Sequence, residues 1–250
     1  MSIIDFFTDK NNPKLESYLY GTRHIIMLVC VAVAAVLLSV IFRKKSEKAK
    51  KVLFKVLVGI LLFFEISSRI VNFAILENWT LAEVAKILLP MHICSVMVWM
   101  LIISSFVKNK TFNNFVVTGG ILATIAFLLY PAVGINKMYM SFTCLYSTIS
   151  HCVGFITAIL MIVLGRTNFN FKKIGYCYLS FVLMFVWGGV INWVIFPGSD
   201  YMYMRNDPLE LNLGFPYQIL YGIILIFYVL LYFTIATIHK KIKKSKHDKR

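Results

Sequence analysis

Pro90-Met91-His92-Ile93-Cys94-Ser95 sets an imidazole, a thiol and a hydroxyl within four residues of an otherwise apolar run. A thiol or hydroxyl beside a histidine is equipment for acyl transfer, in which the base takes the proton and sulfur or oxygen attacks an ester carbonyl. Cys94 and Ser95 are the candidate nucleophiles, and His92 or His151 the candidate bases. A second group, Glu65, Ser68, Arg69 and Asn72, falls at i, i+3, i+4 and i+7, which is one face of a helix. Glu65 and Arg69 one turn apart neutralise each other, so they suit a structural ion pair as well as a site in which Arg69 holds a phosphate headgroup. Ser147, Ser150, His151 and Gly154 repeat the helical spacing further along.

Two other chemistries fit the same residues. Glu65 and the histidines would serve a transporter or channel as a proton or ion relay. Two histidines and a carboxylate would also ligate a metal, but their spacing is nothing like the known motifs, and no metal is expected. No serine elbow, Walker loop or dinucleotide fingerprint is present, so no cofactor is expected either. The five cysteines lie in apolar runs without a CxxC pair and read chiefly as small buried hydrophobes.

The elements that must position these groups are membrane helices. Of 250 residues 59% are apolar and only 15% charged, where a soluble domain is about one quarter charged, and the mean hydropathy is +0.77. The expectation is an all-α bundle, one integral membrane domain over 1–250, with seven spans at about 23–42, 52–75, 87–107, 115–134, 141–164, 174–196 and 217–238. The first run follows some 22 residues of mixed charge and lacks a terminal small-residue cleavage site, so it reads as a retained span.

The net charge of +15 lies in blocks between the apolar runs and signals topology; no nucleic-acid motif accompanies it, and nucleic acid is not an expected partner. Alternate connections with the C-terminal tail hold 18 Lys and Arg against 6 on the other side, which predicts the N-terminus outside and the C-terminus inside. The polybasic tail 239–250 would also attract anionic lipid headgroups. Lys outnumbers Arg 20 to 6, which suggests an AT-rich bacterial genome, and the expected location is a bacterial plasma membrane.

On that topology Glu65, Arg69, Asn72, His92, Cys94 and Asn192 share the outer half of the bilayer. His151 lies near the midplane, and the loop with Asp200, Tyr201 and Arg205 caps the same side. Groups from five segments at one depth predict an outward-facing polar cavity. Pro90 reads as the first residue of span three, with His92, Ser95 and Trp99 on one face and Cys94 about 200° away from His92. The expectation is that His92, not Cys94, looks into the cavity. Membrane lipids are the expected partners and a phospholipid the expected substrate, with a non-enzymatic transporter or small-ligand-binding protein as the alternative.

Two stretches resemble the YwaF-like integral membrane proteins. Leu89-Pro90-Met91-His92-Ile93-Cys94 is similar to their Leu-Pro-x-His-x-Cys signature. Asp200-Tyr201-Met202-Tyr203-Met204-Arg205-Asn206-Asp207-Pro208, followed by Phe215-Pro216-Tyr217, is similar to their Asn-Tyr-Met-Tyr-Leu-Arg-x-x-Pro…Pro-x-Tyr segment, with Asp200 in place of Asn. That family is in turn similar to an animal acyltransferase that remodels ether phospholipids with a cysteine and a histidine. The resemblance implies His151 as base and a cysteine near the start of span three as nucleophile, a position for which Cys94 is available.

Overall fold

The computed structural model describes residues 3–8, 12–15, 18–77, 79–131, 134–206 and 216–248; Asp207, Pro208 and Phe215 of the second motif lie outside them, as do the side chains of the 239–250 tail. The described helices are α1 (Ile3–Thr8), α2 (Thr22–Arg43), α3 (Glu47–Ala74), α4 (Leu81–Leu88), α5 (Ile93–Ser104), α6 (Lys110–Leu129), α7 (Phe142–Val163), α8 (Ile174–Val190) and α9 (Tyr217–Asp248). Six helices are long and apolar enough to cross a membrane, and the pair α4 and α5 makes a seventh crossing if taken as one span. The predicted all-helical membrane bundle is therefore the architecture found.

Local chemistry explains four of the described helix starts. Ser46, Thr80, Asn109 and Ser141 each accept a backbone N–H from the first turn of α3, α4, α6 and α7, a cap worth about 1 kcal/mol apiece. The N-cap of α5 is His92, and its side chain makes no such bond.

Packing is layered around α6, whose apolar stretch is 72% buried against 11% for α2 and α9. Gly120 and Gly154 let α6, α7 and α5 close on one another: a methyl at Gly120 would touch Leu101 and Ala158, and one at Gly154 would touch Thr124 and Leu101. The end of the bundle opposite the candidate residues is tied by amides. Asn114 donates to the carbonyl of Asn168 at 3.0 Å and accepts its N–H at 2.9 Å, while Asn113 donates to the carbonyl of Arg166.

Span three departs from the expected single helix over 87–107. It is broken at Leu89–His92 and bent by 56° between α4 and α5. Pro90 is not the first helical residue; it stands in the break. The proline lacks an N–H and pushes Leu89 to an extended conformation (ψ 138°), and α5 starts only three residues later. Span six also ends irregularly, α8 passing into a π-turn over Ile191–Ile195.

Candidate functional site

Glu65 carries the polar interior. It is 1% exposed, and both carboxylate oxygens are engaged: Oε2 accepts from Arg69 Nη1 at 2.5 Å, and Oε1 accepts from the Tyr146 hydroxyl of α7 at 3.1 Å. Arg69 also donates to the Glu65 carbonyl at 2.9 Å, and its guanidinium lies 5.1 Å from the ring centroid of Trp99 on α5. A buried carboxylate is tolerated only when paired and hydrogen-bonded, and α3, α5 and α7 each supply a part of that condition. One turn towards the end of α3, Asn72 turns back on its own helix and donates to Ser68.

Cys94 belongs to this cluster. Its thiol lies against the backbone N–H of Ser95 and within electrostatic reach of Glu65, and Tyr146 in turn feels Cys94. Ser150 stands one turn beyond Tyr146 on the same face of α7, buried and with no partner for its hydroxyl among the described residues.

His92 sits elsewhere. With φ −89° and ψ 152° it is outside the helix, so the helical spacing that grouped it with Ser95 and Trp99 does not apply to it. The ring is exposed and meets Tyr201 edge to face, centroids 5.1 Å apart. His92 thus stands outside the Glu65 cluster, and Cys94 lies within electrostatic reach of it.

The two motif stretches meet at the break. Trp187 Nε1 donates to the Pro90 carbonyl at 3.1 Å, and Met91 packs with Ile191 and Phe196. The 197–206 loop is held down by Asn192, which is fully buried. Its Oδ1 accepts from Tyr201 N–H and Ser199 Oγ, and its amide donates to the Tyr201 carbonyl. Asp200 does not pair with the Arg205 guanidinium. Its carboxylate accepts the backbone N–H groups of Arg205 and Asn206 and the Asn206 amide, while Arg205 reaches the Asn192 carbonyl and lies 5.5 Å from the Trp193 ring. Burial pushes the Asp200 carboxyl up, but the donors from Arg205, Asn206 and Met204 outweigh it and leave it below the ordinary value. Asn192, Asp200 and Arg205 therefore hold the loop in place, and Tyr201 is the loop residue in contact with a candidate base.

His151 lies apart from the Glu65 cluster, about 140° around α7 from Tyr146. It stacks on Phe127, centroids 3.9 Å apart, and its Nδ1 donates to the Ser147 carbonyl at 2.7 Å, which leaves Nε2 as the proton acceptor. Among the described residues no hydrogen bond joins it to Cys94, and no three His, Cys, Asp or Glu side chains converge as metal ligands.

Glu65 sits in the packed interior, bridged from α3 to α7 by the Tyr146 hydroxyl. A shallow cleft of about 340 Å³ opens nearby between α3 and α4, lined by Asn72, Ile75, Leu76, Glu77, Glu83 and Ile87. Sequence reasoning missed Tyr146, because nothing in α7 says which helix it faces. It also missed His24, which is fully buried, accepts Tyr20 N–H at Nδ1 (2.9 Å) and donates from Nε2 to the Leu128 carbonyl at 2.6 Å.

Fold and site together define a multi-pass helical membrane protein with a charged, thiol-bearing cluster beneath a broken span. The chain belongs to the TMEM164 family, whose model matches residues 19–237 and so includes both motif stretches through Tyr217. No curated protein and no solved structure matches it.

Proposed function

We propose that the protein acts on phospholipid acyl chains by cysteine chemistry at Cys94, from the outer side of the membrane. One observation carries the reading: the Cys94 thiol sits in the first turn of α5, against Ser95 N–H and within reach of Glu65 and Tyr146. First-turn N–H groups without a side-chain cap are available to an oxyanion. In the proposed reaction the sulfur attacks the ester carbonyl, the thiol proton passes to histidine, and the ester C–O bond breaks. The departing lysolipid alkoxide recovers the proton. The acyl group then passes from sulfur to the hydroxyl of a second lipid, or to water. His92 is the base next to the thiol in sequence and at the exposed mouth of the break. His151, with Nε2 free, is the base that the resemblance to an acyltransferase favours. Arg69, already over Trp99, has further guanidinium N–H groups for a phosphate.

The test uses purified protein in vesicles of two phospholipids with distinguishable acyl chains, read by mass spectrometry. Exchange or release of acyl chains in the wild type, lost in Cys94→Ala and in at least one of His92→Gln and His151→Gln, is the expected result. Normal turnover in Cys94→Ala would sink the thiol mechanism. The alternative, a transporter using Glu65, Arg69, His92 and His151, predicts gradient-driven uptake dependent on Glu65 with unchanged lipid composition. It has weaker support, since both oxygens of Glu65 are occupied and His151 lies on another face of α7.

A further inference from the structure

At the opposite end of the bundle the elbow between α2 and α3 forms a groove of about 540 Å³. It is lined by Phe42, Val52, Leu53, Val56 and Ala49, with Ser46 and Lys48 at its mouth. The walls are almost wholly apolar, and the groove climbs α3 from Ser46 to Val56, about 15 Å at 1.5 Å per residue. Its mouth is cationic. Arg43, Lys44, Lys45 and Lys48 are all exposed, and among the described residues none of them pairs with a carboxylate; Glu47 is taken by Lys50. Lys51 and Lys55, also exposed, lie further up α3, and side chains on a helix lean towards its N-terminus, which here is the elbow.

We propose that this groove binds one anionic glycerophospholipid, its acyl chain along Val52, Leu53 and Val56 and its phosphate among Lys44, Lys45 and Lys48. Charge complementarity decides the occupant. An apolar trough in a bilayer accepts any acyl chain, but a mouth with several unpaired cations and no free carboxylate selects a headgroup with net negative charge. The site is independent of Cys94 and of acyl chemistry.

The experiment titrates purified full-length protein in neutral detergent with phosphatidylglycerol or phosphatidylcholine, reading the thermal midpoint and, by native mass spectrometry, the lipid retained. Phosphatidylglycerol is expected to raise the midpoint saturably with one lipid kept per chain, and phosphatidylcholine to do neither. Lys44→Gln/Lys45→Gln/Lys48→Gln, all on the exposed elbow, is expected to weaken the response about a hundredfold, at about fivefold per cation. Val52→Trp, which fills the trough, is expected to abolish it. An unchanged response in the triple variant, an equal response to phosphatidylcholine, or a dimer that Val52→Trp converts to monomer would overturn the proposal.

Discussion

The indole Nε1 of Trp187 donates to the carbonyl of Pro90 at 3.1 Å, so span six supplies a donor to the break in span three. Trp187→Phe keeps an aromatic ring, though a smaller one, and removes the donor. The expected cost is about 1–3 kcal/mol, the penalty for a carbonyl left unpaired away from water, measured as a loss in detergent unfolding titrations. The variant should also alter Cys94 labelling by small thiol reagents, since the first turn of α5 hangs from this contact.

Glu65→Gln removes the counter-charge of Arg69 and leaves a guanidinium in the interior. A loss of about 3–5 kcal/mol is expected, with Glu65→Gln/Arg69→Gln recovering part of it. Tyr146→Phe should cost less, about 1 kcal/mol, because Glu65 keeps its arginine. A double variant whose loss equals the sum of the Glu65→Gln and Arg69→Gln losses would show that the pair is not coupled.

His24 joins the N–H of Tyr20 to the carbonyl of Leu128. His24→Leu leaves both unpaired, an expected loss of about 2–4 kcal/mol, whereas a surface substitution at Lys48 should be near neutral. Thermal midpoints in one detergent compare the two.

Asp200 gives a pH dependence with a defined sign. Its folded pKa lies below the unfolded value of about 3.9, so its contribution is present above that value and is lost as pH falls through the lower folded pKa. The protection of the Arg205 and Asn206 N–H groups, taken relative to the intrinsic exchange rate at each pH, should fall below about pH 4. Asp200→Asn removes the acid transition; persistence of the transition in that variant would place it in another group.

Gly188 lies under the same loop. A methyl there would come within 2.8 Å of Met202 Sδ and 3.0 Å of Met204 Sδ. Gly188→Ala should be tolerated by movement of the two thioethers, and Gly188→Val should lift the loop, read as faster hydrogen exchange at the Tyr201 N–H.

Much of this was legible in the chain. The apolar runs marked the spans because hydrocarbon admits only long apolar helices, and Glu65 and Arg69 announced a pair because residues four apart share a face. The misreadings arose where long-range contacts decide. A proline at position 90 fits a helix start as well as a break, and the choice depended on Trp187, 97 residues away. The orientation of Cys94 was inferred from a regular helix that does not include His92. Tyr146 reads as one aromatic among many until α7 is placed beside α3.

The break at Leu89–His92 has a consequence for biogenesis. In lipid an irregular backbone needs neighbours to take its polar groups, and for Pro90 that neighbour is synthesised 97 residues later. The Pro90 carbonyl therefore gains its indole donor only after α8 has been made, and until then that carbonyl at the break must be served by water or by another donor.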